Sequence, residues 1–276
     1  MVNPAKKTAL VTGASSGMGK DIAQRLIADG YLVYVAARSV NKMQDLAALG
    51  ARPLAMDISK DEDIRAVVNT ITAEVGGVDV LVNNAGFGLY GPVEDIPLDE
   101  ARYQFEVNLF GPARLTQLLL PYMREKRSGT IVNVTSMGGK IYSLLGAWYH
   151  ATKHALEGWS DCLRLELSQF GINVVIVEPG VIETGFGDGA SNNLLNRSAG
   201  GPYAGLAQAV ANSIANTYGK GTGSPGSVIA NVVSKAAHAG KPDTRYAAGK
   251  YAKMLLGMRK WLSDRTFDRI ILSQTK

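Results

Sequence analysis

Tyr149 and Lys153 stand four residues apart in the segment AWYHATKHA, residues 147–155. On a helix, residues four apart share a face, so both side chains can act on one site. A free tyrosine has a pKa near ~10 and is a poor base at neutral pH, but a nearby ammonium favours the phenolate and lowers that pKa. The spacing therefore predicts a tyrosine that exchanges a proton with a substrate. The alternative is a pair of surface neighbours.

A glycine-rich turn, TGASSGMG at Thr12–Gly19, follows the first strand-like run. Glycines there permit a tight turn and close approach of a pyrophosphate, and the following helix offers unpaired N–H groups. The spacing is G-x-x-x-G-x-G, which is neither G-x-G-x-x-G nor a P-loop. The turn predicts nucleotide binding; a plain strand-to-helix turn is the alternative.

The second strand-like run ends in Ala36-Ala37-Arg38-Ser39, where an NAD-selective protein would carry an acidic residue. Arg38 suits a 2′-phosphate instead, and Ser15 could add a hydroxyl donor. These residues favour NADP(H), unless Arg38 is only a solvated loop residue. Asp57 follows the third run and could accept from the adenine amino group or cap the next helix.

Strand-like and helix-like segments alternate along most of the chain. Apolar runs separated by helices imply parallel strands covered on both faces, so we predict a single α/β domain, 1–276, with a doubly wound, Rossmann-like sheet. The expected strands are Thr8–Thr12, Tyr31–Ala36, Val78–Val82, Thr130–Thr135 and Ile172–Val177, with a third run at Pro53–Asp57; the expected helices are Asp21–Ala28, 60–75, 99–125 and 147–170.

The alternation breaks at 182–227, which is rich in Gly, Asn and Ser. We interpret it as a substrate-binding insertion or lid containing a helix at Tyr203–Tyr218. Ser224-Pro225 then resembles a helix start. Residues 250–276 form a basic, amphipathic tail with apolar residues at helical spacing: Tyr251, Met254, Leu255, Met258 and Trp261. This tail could contact an anionic membrane, a partner subunit or its own domain.

Composition excludes several classes of protein. The single cysteine, Cys162, permits no intrachain disulfide and fits a reducing compartment, so we expect a cytoplasmic protein in which Cys162 is packed. The N-terminus has no signal-peptide pattern, and no apolar run is long enough to span a membrane. Residues 241–276 hold nine Lys and Arg against three Asp and Glu, so the net charge of +5 resides in the tail. This distribution does not indicate nucleic-acid binding.

Six pieces of the sequence, in order, resemble the short-chain dehydrogenases/reductases over roughly residues 8–185. They are Thr12–Gly19, Asn83-Asn84-Ala85-Gly86, Asn108, Ser136, Tyr149-x-x-x-Lys153, and Pro179-Gly180 with Thr184. The phrase YHATKHALEG is most similar to the branch that acts on hydroxysteroids, retinol and assorted carbonyls. The resemblance says little about the substrate, because the family varies after about residue 185.

The resemblance implies roles for these residues. Tyr149 would exchange a proton with a carbonyl or alcohol, Lys153 would tune Tyr149 and bind the nicotinamide ribose, and Ser136 would hydrogen-bond the reacting oxygen. Asn108 would hold a water leading to a proton relay. The expected cofactor site comprises Gly13, Ser15, Ser16, Gly17, Met18, Gly19, Arg38, Asp57, Ile58, Asn84, Ala85, Gly86, Tyr149, Lys153, Pro179, Gly180, Val181 and Thr184, with no metal.

The chain is therefore expected to be an NADP(H)-dependent oxidoreductase for an apolar carbonyl or alcohol. Alternatives are an epimerase or dehydratase, a non-catalytic NADP-sensing module, and a membrane-surface interaction protein. We expect a homodimer or homotetramer with helices 99–125 and 147–170 at the interface, and His150 and His154 to be structural. Candidate pocket residues are Met137, Tyr142, Trp148, Val181 and Phe186, with Leu255, Met258 and Leu262 as possible walls.

Overall fold

A computed structural model describes residues 6–198, 200–219 and 221–275. The first five residues, Ala199, Lys220 and Lys276 lie outside the described residues. The predicted domain 1–276, insertion 182–227 and tail 250–276 each include some of these residues, and for those residues the predictions lie outside the described structure.

The described residues form a seven-stranded sheet in which every strand pairs in parallel with its neighbours. Its order is β3-β2-β1-β4-β5-β6-β7, which confirms the doubly wound, Rossmann-like prediction. The strands are β1 (Thr8–Thr12), β2 (Leu32–Ala37), β3 (Arg52–Ala55), β4 (Val80–Asn83), β5 (Gly129–Val134), β6 (Ile172–Pro179) and β7 (Arg245–Ala248). The sequence did not indicate β7, because its four residues are only half-buried and show neither alternation nor an apolar run.

Helices cover both faces of the sheet and bury its apolar strands in two core clusters. One cluster joins the sheet to α1 and α9, and the other joins it to α3, α5 and α6. The helices are α1 (Gly17–Ala28), α2 (Gln44–Ala48), α3 (Asp61–Val75), α4 (Leu98–Phe105), α5 (Gly111–Lys126), α6 (Ala147–Leu167), α7 (Phe186–Ser198), α8 (Ala204–Tyr218), α9 (Ser227–His238), α10 (Ala252–Trp261) and α11 (Asp264–Ser273).

The expected single helix at 99–125 is interrupted. Between α4 and α5, residues Glu106–Phe110 form a π-helical turn. Gly111 follows this turn and packs so closely that a Cβ there would lie 2.1 Å from the carbonyl oxygen of Ile58. Pro112 adds a second constraint, because it has no N–H to donate to the carbonyl of Asn108 four residues earlier. Single π-turns of this kind are frequent at functional sites.

The insertion contains two helices rather than the one expected. We did not predict α7, whose sequence holds glycines at Gly187 and Gly189. Gly187 lets α7 approach α8, since a Cβ there would lie 2.5 Å from the Cβ of Tyr218. The base of the insertion is closed by a bridge between Ile182 and Ser224. Helix α9 therefore begins at Ser227 rather than at the predicted Ser224-Pro225.

The tail folds back onto the domain. Phe267 and Ile271 of α11 are buried against Ile141, and this cluster also takes up Leu255, Met258 and Leu262. Trp261 is 80% exposed, so the apolar stripe of α10 is only partly covered. No helix among the described residues is long and apolar enough to cross a membrane.

The expectation for Cys162 was wrong, because its side chain is exposed on α6.

Candidate active site

Most of the predicted site residues follow the carboxyl ends of strands. The turn after β1, the loop after β4, Ser136 after β5 and Pro179 at the end of β6 belong to four strands that are neighbours in the sheet. Ligands of open parallel sheets bind at this edge, near the point where the strand order reverses. Here that point is the β1–β4 pair, since β2 and β3 lie on one side and β5 to β7 on the other.

The glycine turn has the geometry that a dinucleotide needs. Gly13 and Gly17 have φ values of 67° and 54°, in the left-handed region that favours glycine. At Gly19 a Cβ would lie 2.4 Å from the side-chain nitrogen of Asn84, so the helix packs closely on the loop after β4. Helix α1 begins with no acidic residue in its first turn and no side-chain cap from Ser16. Its first N–H groups are therefore open to an anion.

The remaining residues of the turn differ in exposure. Ser16 is exposed, Ser15 is half-buried, and Met18 packs against the core.

The loop after β4 is fastened to the glycine turn. The backbone N–H groups of Asn84 and Ala85 both donate to Thr12 Oγ1 at 3.0 Å. The Asn84 side chain donates to the Thr12 carbonyl at 2.9 Å. Gly86 follows and is exposed at the site. These bonds hold two predicted cofactor segments together.

Arg38 and Asp57 lie close together at the ends of β2 and β3. Arg38 is exposed, and its positive charge is close enough to the Asp57 carboxylate to lower the pKa of that group. Burial raises the pKa of Asp57, but hydrogen bonds from Ser59 and the charge of Arg38 outweigh it, so the net pKa is lowered. Asp57 Oδ1 accepts from the N–H of Ser59 at 3.0 Å and from its hydroxyl at 2.7 Å. Asp57 is therefore an ionised turn residue whose second oxygen remains available. Ile58, beside it, is buried.

The segment after β6 returns to the glycine turn. Thr184 lies next to Gly17, where a Cβ would come within 3.2 Å of the threonine methyl group. Gly180 allows the chain to pass residue 250, since a Cβ there would lie 2.1 Å from the Lys250 carbonyl oxygen. Pro179 and Val181 are buried.

Tyr149 and Lys153 share one face of α6, as predicted, but the expected effect on the tyrosine pKa was wrong. Burial raises the pKa of Tyr149 to about 12, with the hydroxyl of Ser136 acting in the opposite direction. The ammonium of Lys153 donates to the Val134 carbonyl at 3.0 Å instead. Tyr149 is therefore a protonated phenol at neutral pH, which is the form that can donate a proton.

Lys153 is a buried lysine, only 6% exposed. Burial lowers its pKa to about 8, and the carboxylate of Glu157, one helical turn further on, opposes this shift. Its ammonium is near the exposed loop residue Gly86, since a Cβ added to this glycine would lie 3.7 Å from Lys153 Nζ. The two N–H groups not used on Val134 can serve a ligand in that loop.

Ser136 caps a short turn and is linked to His150. Its Oγ accepts from the N–H of Gly138 at 2.9 Å. The Gly138 carbonyl contacts His150 Nδ1 at 2.9 Å, and His150 Nε2 contacts the hydroxyl of Ser143 at 2.9 Å. Because a carbonyl only accepts, Nδ1 carries the proton and Nε2 accepts from Ser143. His150 thus holds the turn that presents Ser136, and burial lowers its pKa.

Asn108 lies in the π-turn and is 1% exposed. Its Nδ2 donates to the Phe87 carbonyl and to Thr152 Oγ1, both at 3.0 Å, and its Oδ1 accepts from the Phe87 N–H at 3.1 Å. Thr152 Oγ1 in turn donates to the Tyr149 carbonyl at 2.8 Å. The carboxamide of Asn108 therefore joins the loop after β4 to α6.

A cavity of about 500 Å³ opens in front of Ser136 and Tyr149. Its walls come from α8, from the segment 136–144 and from the tail. Met137, Tyr142, Val181 and Leu255 line it as predicted.

Four other predicted wall residues do not line the cavity. Trp148 packs with Leu89, Ile96 and Ala101, since it points away from Tyr149 on the helix. Phe186 packs against the ring of Tyr149, with centroids 5.3 Å apart. Met258 and Leu262 belong to the cluster around Phe267.

Sequence reasoning missed several polar residues of this cavity, among them Tyr90, Ser143 and Tyr218. Tyr90 and Tyr218 are buried there, and burial raises the pKa of both hydroxyls. Ser143 lies beside the hydroxyl of Tyr90. Tyr90 could have been suspected from its place after the NNAG segment, whereas Tyr218 lies in the variable insertion and no local pattern marked it.

The strand order and the glycine turn place the chain among the dinucleotide-binding α/β proteins. Within that class, a family model described as short chain dehydrogenase matches residues 7–194. The chain therefore belongs to the short-chain dehydrogenase/reductase family of oxidoreductases, as its motifs predicted.

Individual proteins show the same likeness along the whole chain. A probable short-chain type dehydrogenase/reductase of Helicobacter pylori is 32% identical over 262 residues, which is 95% of both chains. A short-chain dehydrogenase structure from Streptomyces avermitilis has a TM-score of 0.80 and 34% identity, covering 99% of this chain and 96% of the other. A variant of actinorhodin polyketide ketoreductase, crystallised with NADPH, has a TM-score of 0.73 and 32% identity over 87% and 93% of the two chains.

Proposed function

We propose that this protein is an NADP(H)-dependent oxidoreductase that transfers a hydride between the nicotinamide and the carbonyl or secondary alcohol of an apolar substrate. The observation that carries the proposal is the placement of Tyr149, protonated and buried, beside Ser136 at the inner end of a cavity about 500 Å³ in volume. The proposed catalytic residues are Asn108, Ser136, Tyr149 and Lys153.

The chemistry follows from the atoms of the site. In reduction, Tyr149 Oη donates its proton to the carbonyl oxygen, and Ser136 Oγ–H donates a hydrogen bond to the same oxygen. The phenolate that remains would lie on the same face of α6 as Lys153, whose positive charge would oppose the effect of burial on it. NADPH supplies the hydride. Acid catalysis of this kind contributes on the order of 10²–10⁴-fold.

The residues present fit a dinucleotide with a 2′-phosphate. The open N-terminus of α1, free of acidic residues in its first turn, suits the diphosphate. Arg38 is exposed and suits the 2′-phosphate, while Asp57 keeps one oxygen for the adenine amino group. The NADPH complex of the similar ketoreductase supports the choice of NADP(H). The cofactor-binding residues that we propose are the same ones that were expected from the sequence.

The cavity favours an apolar body in the substrate. Aliphatic and aromatic side chains dominate its wall, among them Met137, Ile141, Leu144, Val210, Ile214 and Leu255. Polar groups lie at the reacting end, where Ser136 and Tyr149 meet, and again at the outer end, at Ser213, Thr217, Gln274 and Thr275. We propose that α7 and α8 act as the substrate-binding insertion.

Assembly is a separate proposal. Tyr103, Phe110 and Leu165 are large apolar residues that are exposed by 40%, 53% and 67%, and they lie on the predicted interface helices. We propose that these helices join subunits into a homodimer or homotetramer, which light scattering of the purified protein would test. A monomer at micromolar concentration would contradict it.

The experiment for the main proposal compares wild type with Tyr149→Phe and His154→Asn. We expect NADPH titration by fluorescence to give the same affinity in all three proteins. NADPH oxidation with steroid, retinoid, aromatic and aliphatic ketones should be lost only in Tyr149→Phe. Near-native turnover in Tyr149→Phe would remove Tyr149 from the chemistry. Tight NADPH binding without turnover of any ketone by wild type would favour the NADP-sensing alternative.

A further inference from the structure

A second chamber adjoins the active-site cavity on its outer side. It has a volume of about 430 Å³. The two chambers adjoin, because five residues line both: Ser213, Thr217, Tyr251, Gln274 and Thr275. A substrate that fills the inner cavity can therefore extend outward between α8 and the tail.

The two chambers differ in chemistry. The outer lining adds the amides of Asn212 and Asn216 and the ammonium of Lys250. Among the described residues that line the two chambers, Lys250 is the only one with a permanent charge at neutral pH, because burial lowers the pKa of His150. The path thus runs from an apolar interior to a polar end with one positive charge.

Lys250 is held in place by its surroundings. Its backbone N–H donates to Ser224 Oγ at 3.0 Å, and its carbonyl accepts from the Val181 N–H at 2.9 Å. Its Nζ donates to the Thr222 carbonyl at 2.7 Å and lies 5.0 Å from the centre of the Tyr251 ring. One N–H of three is used, so two remain for a ligand. Lys250 is exposed, and these contacts place its ammonium at the outer chamber.

Tyr251 adopts an unusual backbone conformation at this position. Its φ is 66°, although it is not a glycine. Such strained conformations persist where the surrounding structure fixes them, and they cluster at ligand sites. Here the conformation places Tyr251 in the wall shared by the two chambers and directly under the ammonium of Lys250.

The charge of the tail adds attraction at longer range. Residues 241–276 hold nine Lys and Arg against three Asp and Glu, and this segment builds the outer wall. The net positive charge of this segment raises the local concentration of anions around it.

We propose that the outer chamber binds the anionic end of the substrate through Lys250. The substrate class is then an amphipathic ketone or secondary alcohol that carries a carboxylate or similar anion, separated from the reacting carbon by an apolar segment. The inference rests on the proposed function for one point, that the reacting group of the substrate is a ketone or a secondary alcohol. The binding of an anion at Lys250 does not depend on it. One fixed cation at a partly open site should favour the anion by roughly tenfold.

Binding tests the subsite without any turnover. Calorimetry of the full chain would use decanoate, 1-decanol and decylammonium below their aggregation concentrations. We expect decanoate to bind about tenfold more tightly than decanol, and decylammonium to bind most weakly. Lys250→Met should remove the preference, and Lys250→Arg should retain it. Lys253→Met, an exposed lysine on α10, is the matched control and should behave as wild type.

Two results would overturn the inference. One is equal affinity for the three probes in wild type. The other is an equal loss of preference in Lys250→Met and Lys253→Met, which would assign the effect to the net charge of the tail.

Turnover separates this inference from the proposed function. NADPH oxidation would be measured with 9-oxodecanoate and its methyl ester. We expect a lower KM for the acid, lost in Lys250→Met with kcat unchanged. Equal KM values in wild type would overturn the anion subsite while leaving the oxidoreductase intact. Turnover of neither ketone, together with a retained preference for decanoate, would count against the proposed function and support the subsite.

Discussion

Replacement of Lys153 by methionine should stabilise the protein while it abolishes activity. Lys153 is 6% exposed, and burial lowers its pKa from 10.5 to about 8. Methionine has a similar unbranched length and carries no charge to desolvate. The variant therefore removes a group that the site needs and the fold does not.

The size of the effect follows from the pKa. Each pKa unit corresponds to about 1.4 kcal/mol, so a folded-state pKa of about 8 against 10.5 in the unfolded chain costs about 3 kcal/mol at pH 7. Loss of the hydrogen bond to the Val134 carbonyl offsets about 1–2 kcal/mol of this gain. We expect a net stabilisation of about 1–2 kcal/mol at pH 7.

The sign of the pH dependence gives a sharper test. Between pH 8 and 10.5 the unfolded chain binds more protons at this lysine than the folded protein does, so wild-type stability rises with pH in that window. The variant lacks this contribution. Urea unfolding at pH 7 and pH 10 should show that its advantage over wild type shrinks by about 2–3 kcal/mol at the higher pH.

The exposed Lys253→Met variant is the control and should show no such change. A Lys153→Met protein that is less stable than wild type at pH 7, or whose advantage is the same at both pH values, would refute the reasoning.

Three further predictions address the site. Arg38→Asp should weaken NADPH binding by about 10–100-fold and leave NADH binding unchanged or tighter, because it sets a carboxylate against the 2′-phosphate; fluorescence titration with both nucleotides decides, and an unchanged ratio removes Arg38 from the site. His150→Asn keeps a donor for the Gly138 carbonyl but is too short also to reach the hydroxyl of Ser143, so kcat should fall roughly tenfold with KM for NADPH unchanged; equal kcat would leave the histidine a packing residue. Reduction should keep its rate from pH 6 to pH 8, whereas oxidation should accelerate as pH rises, since the pKa of Tyr149 is about 12; pH profiles in both directions test this, and an alkaline fall in oxidation would contradict it.

The sequence was most informative where the signal is local. A strand followed by a glycine turn at Thr8–Gly19, or a Tyr and a Lys one helical turn apart at Tyr149 and Lys153, needs only a few neighbouring residues to be recognised. Sheet order and the meeting of loops at one edge then follow from general rules for parallel sheets. The fold and the residues gathered at that edge were accordingly accessible.

Features set by distant contacts were not accessible. The expectation for Tyr149 considered only Lys153, whereas burial contributed by Tyr90, Phe186 and the insertion dominates its pKa. Helix α7 forms against its own glycine content because α8 covers it. The role of Lys250 depends on residues about thirty and seventy positions away that no periodicity connects.

The bridge between Ile182 and Ser224 has an evolutionary consequence. It fixes both ends of a segment of about forty residues, and the entropy of closing such a segment grows only with the logarithm of its length. Changes in the length of α7 and α8 therefore cost the sheet little entropy, although Phe186 of α7 still packs against the ring of Tyr149. Substitutions in the part of α8 that lines the cavity can therefore change its shape at little cost to the sheet, provided that the residue packed on Tyr149 is kept.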